Sequence, residues 1–216
     1  MKTYTKYILT GIPLLIANNT GNKTNAADKI PDNIKPKYTL TQSSGINTPV
    51  DTSSKFVFAE KYGRRGVVYK LEDGSQIIRT NGTRQWRNNN AGAIQYGDFA
   101  RKNGAIGTDG RFAIFPDYET GFKALQTLLK TETYKNLTIQ SAIYTYAPPS
   151  ENNVSAYLSR LKHLTGISLK LRIRDLDDAQ LHDVANAIET IEGWVPGTET
   201  VIPSDTLLFA KNHYTR

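Results

Sequence analysis

The chain has 216 residues, of which 38% are apolar and 22% are charged, and it contains 7 Phe, 12 Tyr and 2 Trp. This apolar content is enough for a buried core and excludes a wholly disordered chain. Cysteine is absent, which excludes a disulfide scaffold, a thiolate metal site and a cysteine nucleophile. No apolar run reaches the roughly 18 residues of a membrane-spanning helix, which excludes a polytopic membrane protein.

The positive charge is concentrated in the N-terminal part of the chain. The net charge is +7, and residues 1–80 carry 12 basic and 6 acidic side chains, whereas residues 81–216 are nearly neutral. The lysines of the N-terminal part are scattered, and no aromatic side chains alternate with arginines as in a nucleic-acid-binding surface. We therefore interpret this part as a solvated arm and expect no nucleic acid partner. Attraction to an anionic envelope polymer or membrane surface is compatible with the same charge.

The first 54 residues predict a signal-like segment or an extended basic arm. Lys2 and Lys6 precede the apolar stretch 7–17, and residues 24–26 resemble a small-residue cleavage site, which loosely matches a secretory signal. Cleavage there and retention as an arm are both open. Residues 18–54 are rich in Asn, Thr, Ser, Lys and Pro, so we expect them to lack regular secondary structure until a partner orders them.

Ordered structure is predicted to begin near Phe56. Gly66–Leu71 and Ser75–Thr80 are strand-like runs around a turn that contains Asp-Gly, which is a strong hairpin signal. A second, smaller hairpin is expected from Gly104–Gly107 and Arg111–Phe115. These two hairpins make up the predicted β part of the fold.

Four helices are predicted after the β region. Each candidate helix has a capping residue before it and apolar residues at helical spacing within it. The order of strands followed by helices predicts an α+β fold that is mostly α. The four helices are expected to start at Asp117, to run from Thr138 to Tyr146, to run from Asn153 to Gly166, and to run from about Asp177 to Glu192.

The last predicted helix carries a carboxylate at the edge of its apolar face. On a helical wheel of about 100° per residue, Glu192 falls within about 20° of Leu181 and Ala185, whereas Glu189 points further out. Partial burial and the negative end of the helix dipole both raise the pKa of Glu192. A carboxylic acid that stays protonated near neutral pH is what glycosidic bond cleavage requires. Wheel geometry alone favours the simpler alternative, a Glu that reaches solvent or pairs with an Arg.

Residues 83–94, with the sequence TRQWRNNNAGAI, resemble the Arg-Asn-Asn-Asn-Pro-Gly-Asn-Ile signature of a lysozyme-like family. Members of this family are peptidoglycan-degrading domains of phage structural proteins and bacterial secretion effectors. Lysozyme-like enzymes commonly place the acidic Glu just before an Asn-rich loop; here the loop comes first, so the order looks circularly permuted. Ala91 and Ala93 stand where the family has Pro and Asn. The resemblance covers roughly residues 66–197 and continues through Tyr96–Ala100, Gly104–Gly107, Phe112–Asp117, Glu119–Gly121, Tyr146–Asn152, Leu164–Gly166 and Glu192–Trp194.

The resemblance implies a lysozyme-like domain with a small β-lobe and an extended N-terminal arm. It implies cleavage of the β-1,4 bond between N-acetylmuramic acid and N-acetylglucosamine in peptidoglycan, with no cofactor and no metal. Glu192 would be the general acid and Asp98 the candidate second carboxylate, because Asp109 and Asp117 are better explained as a turn residue and a helix cap. We expect the side chains of Glu192 and Asn90 to line one cleft. The candidate substrate-binding residues are Arg87, Asn88, Asn89, Asn90 and Tyr96.

The predicted organisation has four parts. Residues 1–54 are the signal-like segment or arm, 55–80 a β-hairpin lead-in, 81–197 the lysozyme-like catalytic domain, and 198–216 a C-terminal tail. The resemblance implies action outside the cytoplasm, by a virion-associated protein or one exported to the periplasm. The arm and the tail are expected to bind other virion or secretion-apparatus proteins.

Two alternatives stay open at the level of sequence. If no second carboxylate exists, a lytic transglycosylase describes the chemistry better than a muramidase, because the sugar's own hydroxyl then attacks. The second alternative is a protein without enzymatic activity: a structural component of a virion or secretion apparatus whose lysozyme-like domain binds glycan without cleaving it.

Overall fold

A computed structural model of the protein describes residues 55–204. The predicted arm, with its signal-like segment and the expected lack of secondary structure in 18–54, lies outside the described residues. The end of the predicted tail also lies outside them. The described part contains a six-stranded sheet, six α-helices and one short 3-10 helix. This confirms the expected mixture of strands and helices.

The strands form one mixed sheet in the order β5-β4-β1-β2-β3-β6. Neighbouring strands are antiparallel except for β1 and β4, which are parallel. The two predicted hairpins are confirmed as β2–β3 and β4–β5. β1 and β6 were not predicted as strands, and β6 places the first residues of the predicted tail in the sheet. The strands are β1 (Phe56–Tyr62), β2 (Gly66–Leu71), β3 (Gln76–Thr80), β4 (Gly107–Thr108), β5 (Ala113–Ile114) and β6 (Thr198–Ile202).

The four predicted helices are confirmed, and each is capped as expected. The side chains of Asp117, Thr138, Asn153 and Asp177 each accept a hydrogen bond from a backbone N–H in the first turn. Two additional helices, of four and five residues, lie in the Gly- and Asn-rich region, where periodicity over so few residues gives no signal. The helices are α1 (Arg84–Arg87), α2 (Asp98–Lys102), α3 (Tyr118–Leu129), α4 (Ile139–Tyr146), α5 (Val154–Thr165) and α6 (Asp178–Glu192), with the 3-10 helix Ile173–Asp175 before α6.

The main hydrophobic core lies among α3, α4, α5 and α6, and α6 is packed on both α5 and α3. Ile188 of α6, Leu125 of α3 and Leu161 of α5 are fully buried in it. A smaller cluster is formed by residues of the strands and contains Tyr69 and Ile114. No helix within residues 55–204 is long and apolar enough to cross a membrane. The C-terminal end of α6 is thus held by packed helices on one side and, through β6, by the sheet on the other.

Candidate active site

An open cleft of about 680 Å³ lies at the C-terminal end of α6. Three elements meet there: the last turn of α6, α1, and the first half of α5. Most of the residues that line it are polar or charged. The lining side chains from these elements include Arg84, Gln85, Arg87, Asn153, Tyr157, Arg160, Thr190 and Glu192.

The chain joins α1 to the end of α6 by a tight crossing. The backbone N–H of Thr83 donates to the carbonyl of Val195 at 2.9 Å, and the N–H of Val195 donates to Oγ1 of Thr83 at 3.0 Å. Gly82 has a φ of +55°, and a Cβ there would lie 2.7 Å from the Val195 carbonyl and 2.6 Å from the N of Gly197. Only glycine fits so close a backbone approach. This crossing brings residues more than 100 positions apart into one site.

Glu192 is half-buried in this cleft. The pKa of its carboxyl is raised to about 7, because the effect of burial exceeds the opposing effect of the Tyr157 hydroxyl, which donates to Oε1 at 3.3 Å. Among the described residues that line the cleft, Glu192 is the only carboxylate. The sequence prediction of a partly buried acid with a raised pKa at this position is therefore confirmed in its electrostatics.

Gln85 is a site residue that sequence reasoning missed. Its side chain lines the Glu192 cleft, is 1% exposed, and finds no hydrogen-bond partner among the described residues for either amide atom. An unpartnered buried amide costs about 1 to 3 kcal/mol and is rare unless it serves a ligand or an ordered water. Its place within the TRQWRNNN stretch was the one available signal.

The asparagine loop, residues 88–90, is bonded to the protein itself. Nδ2 of Asn90 donates to the carbonyls of Ile94 and Ala113, both at 2.9 Å, and its Oδ1 accepts from the N–H of Ile94 at 2.8 Å. Nδ2 of Asn89 donates to the carbonyls of Phe115 and Pro116. All three asparagines are at most 2% exposed and none lines the Glu192 cleft. The expected juxtaposition of Asn90 and Glu192 in one cleft is not found, because the amide of Asn90 is used to hold the loop.

Arg79 of β3 holds this loop in place by hydrogen bonds. Its Nη1 donates to Oδ1 of Asn89 at 2.6 Å and to the carbonyl of Trp86 at 2.9 Å, and its Nε donates to Oε1 of Glu199 at 2.5 Å. The guanidinium also lies over the ring of Trp86, at 4.9 Å from its centre. Arg79 is 6% exposed, so this buried cation joins β3, β6, α1 and the asparagine loop. Trp86 is 5% exposed and belongs to this packing, and it does not line the Glu192 cleft.

Two further candidates lie elsewhere. Asp98, at the start of α2, is exposed and ion-paired with Arg101. Tyr96 is exposed, and the guanidinium of Arg101 lies over its ring at 5.4 Å. Neither residue lines the Glu192 cleft. Asp117 and Asp109 have the expected local roles, since Asp109 accepts hydrogen bonds from the backbone N–H groups that follow it in the turn.

Arg87 lines both the Glu192 cleft and a second, adjacent cleft of about 440 Å³. Its Nη1 donates to the carbonyls of Asn81 and Gly82, so the guanidinium is held in place. Burial, followed by the nearby charge of Arg84, lowers its pKa. The second cleft, called here the basic cleft, is lined by Lys61, Arg64, Arg65, Gly66, Val67, Arg84, Arg87, Asn88, Asp109, Gly110, Arg111 and Phe112.

Glu189 is buried, which corrects the expectation that it faces outward. It is 9% exposed, and the hydroxyl of Tyr118 donates to its Oε2 at 2.8 Å. The wheel placed Glu189 away from the centre of the apolar stripe, but α3 covers that side of α6. Burial raises the pKa of Glu189, yet this residue does not line the Glu192 cleft.

Comparison of the chain with protein-family models, curated proteins and solved structures finds no match. The site is therefore interpreted from its own geometry. It consists of one protonatable carboxyl, one unpartnered buried amide, and several arginines around an open cleft. That arrangement can donate a proton to a neutral polar substrate and bind negative groups beside it.

Proposed function

We propose that the protein cleaves the glycan strand of peptidoglycan at the β-1,4 bond between N-acetylmuramic acid and N-acetylglucosamine, through a lysozyme-like domain. The observation that carries this proposal is the carboxyl of Glu192, half-buried in an open cleft with a pKa of about 7. Such a group is largely protonated at slightly acidic pH and can protonate a glycosidic oxygen. The resemblance of residues 83–94 to the lysozyme-like signature supports peptidoglycan as the substrate class.

Glu192 starts the proposed reaction by giving its proton to the oxygen that links the two sugars. The bond between this oxygen and C1 of the muramic acid breaks, and positive charge develops at C1. Because Glu192 is the only carboxylate among the described residues that line the cleft, we favour lytic transglycosylation. The C6 hydroxyl of the same muramic acid then attacks C1 and transfers its proton to Glu192, which closes an anhydro ring and restores the acid.

Gln85 is proposed to hold the reacting sugar or a water bound to it. Its amide can donate to the carbonyl oxygen of an acetamido group and accept from a sugar hydroxyl or a water. Neither the amide nitrogen nor the amide oxygen has a partner in the described part of the chain. A ligand that bonds to them would remove the free-energy cost of burying these polar atoms unpaired. Asp98, exposed and outside the cleft, has no part in this scheme.

The first prediction concerns the acid itself. Glu192→Gln is expected to lower the rate of glycan cleavage by roughly two to four orders of magnitude, because it keeps size and hydrogen bonding but removes the transferable proton. Glu189→Gln is the matched control: it lies three residues earlier on the same helix, is buried, and is outside the cleft. Release of anhydro-sugar and reducing-end products from purified peptidoglycan measures both. Equal activity in wild type and Glu192→Gln would show that the acid is misassigned.

The pH dependence follows from the same group. Cleavage is expected to fall as pH rises through about 7, since the carboxyl of Glu192 loses its proton there. Stability should follow the same sign: the pKa of Glu192 is higher in the folded than in the unfolded chain, so its contribution is lost between about pH 4.5 and 7. Wild type should therefore lose on the order of 2 to 3 kcal/mol of unfolding free energy over that pH range, and Glu192→Gln should abolish this loss, as measured by chemical unfolding at several pH values.

Absence of cleavage by wild type would favour the alternative, a structural protein that binds glycan without cutting it.

A further inference from the structure

The basic cleft beside the Glu192 cleft carries an uncompensated positive charge. Six cationic side chains line it, and Asp109 is the only acid among the described residues of its lining. Oδ2 of Asp109 already lies 3.1 Å from Nδ2 of Asn88 and 3.4 Å from Nε of Arg84, and Oδ1 accepts two backbone N–H groups. In the described part of the chain, no carboxylate lies within ion-pair distance of Lys61, Arg64, Arg65 or Arg111.

The like charges act on one another across this cleft. Burial lowers the pKa of Arg87 most, and the charges of Arg84 and Arg65 lower it further, while Asp109 offsets only part of their effect. A concave site lined by several unneutralised cations concentrates the positive electrostatic field and attracts an anionic ligand. The charge of this cleft therefore suits negatively charged groups, and two of its lining residues, Arg64 and Arg111, are exposed to solvent.

A hydrogen-bond acceptor lies among these cations. Asn88 lines the basic cleft, is 1% exposed, and its Oδ1 has no donor among the described residues. This atom cannot bind a phosphate or a carboxylate, but it can accept from an amide N–H. The combination of cations with a buried free acceptor fits a peptide that carries carboxylates better than a phosphodiester chain.

The two clefts are adjacent and share part of their lining. Arg65, Arg84 and Arg87 line both of them. In peptidoglycan the stem peptide branches from the muramic acid, so a glycan strand in the Glu192 cleft presents carboxylates and amide N–H groups within one sugar of the bond that is cleaved. We propose that the basic cleft is a subsite for the anionic stem peptide, which rests on the proposed function and makes the protein selective for peptide-bearing strands.

The test measures binding, so that its outcome does not depend on cleavage. The full chain carrying Glu192→Gln is titrated with a tetrasaccharide of the glycan strand, with and without its stem peptides, and with stem peptides whose carboxylates are amidated. We expect at least about tenfold tighter binding of the peptide-bearing form, lost on amidation, from several charge-assisted contacts. Arg64→Gln with Arg111→Gln should remove most of this preference and leave binding of the bare tetrasaccharide unchanged, because neither arginine lines the Glu192 cleft.

A matched control variant also removes two positive charges, but outside the basic cleft. Lys102→Gln with Lys123→Gln alters two exposed lysines of a separate groove, which shares no lining residue with the basic cleft, and should leave the preference intact. Equal affinity for the two tetrasaccharides, no measurable binding of either, or equal loss in both double variants would overturn the subsite. Tight binding of a short DNA duplex that depends on Arg64 and Arg111, without a stem-peptide preference, would overturn it in favour of a nucleic acid site. A retained preference in a protein that does not cleave would leave the subsite standing and refute only the proposed reaction.

Discussion

The asparagine loop and the Glu192 cleft are neighbours, and their buried side-chain amides differ in whether they have hydrogen-bond partners. In the loop, both amide atoms of Asn89 and of Asn90 bind protein groups. In the cleft, neither amide atom of Gln85 does, although Gln85 is as buried as they are. Asn89 and Asn90 lie only four and five positions after Gln85 in the sequence. The difference indicates that the satisfied amides of Asn89 and Asn90 hold the structure together, whereas the unsatisfied amide of Gln85 is left for a ligand.

The first way to test this comparison is to remove the cation that supports the loop. Arg79→Gln should lower the free energy of unfolding by about 3 to 5 kcal/mol, because Glu199 would be left as a largely buried charge without its partner. Chemical unfolding followed by circular dichroism measures the loss. The double variant Arg79→Gln with Glu199→Gln should recover part of it, and no recovery would contradict the assigned ion pair.

The second test removes an amide of the loop. Asn90→Ala is expected to lower the free energy of unfolding by about 2 to 3 kcal/mol, since it deletes three hydrogen bonds and leaves the N–H of Ile94 buried without a partner. Substrate affinity of the folded fraction should be unchanged. A variant of normal stability with weakened glycan binding would return Asn90 to its sequence-predicted role at the substrate.

The third test removes the free amide of the cleft and should give the opposite pattern. Gln85→Met has nearly the same volume and no unsatisfied group, so stability should rise by about 1 to 2 kcal/mol while cleavage falls. Parallel measurement of thermal unfolding and peptidoglycan cleavage separates the two effects. Loss of stability without loss of activity would place Gln85 with the loop asparagines as a structural residue.

The smallest effect is expected at the hydroxyl next to the acid. Tyr157→Phe removes the one hydrogen bond that favours the ionised form of Glu192, so the pKa of Glu192 should rise further. The alkaline limb of the pH–rate profile should then shift to higher pH, with the maximal rate little changed. A shift to lower pH would mean that this hydroxyl does not donate to the carboxyl.

Sequence reasoning located the elements better than the partners of individual side chains. The caps Asp117 and Asp177 and the Asp-Gly turn act through neighbours in sequence, so local patterns predicted them. Strand β6 depends on pairing with β3, about 120 residues earlier, and has no local signature. The burial of Glu189 depends on α3, and the use of Asn90 depends on a carbonyl 23 positions away. Only the tertiary structure assigns such contacts, and the same holds for the missing partners of Gln85.

The register of the sheet also gives the domain two distinct ends. Phe56 lies opposite Leu71, and Ile202 lies opposite Gln76, so the chain enters β1 and leaves β6 on either side of the β2–β3 turn. These two points are three strand spacings apart, about 14 Å. The β1–β2 hairpin tip and the Gly82 crossing, which border the clefts, lie at the opposite end. The chain therefore enters and leaves the domain at the end opposite the two clefts. The domain can be held at both of these points while the clefts stay accessible to the proposed polymer substrate.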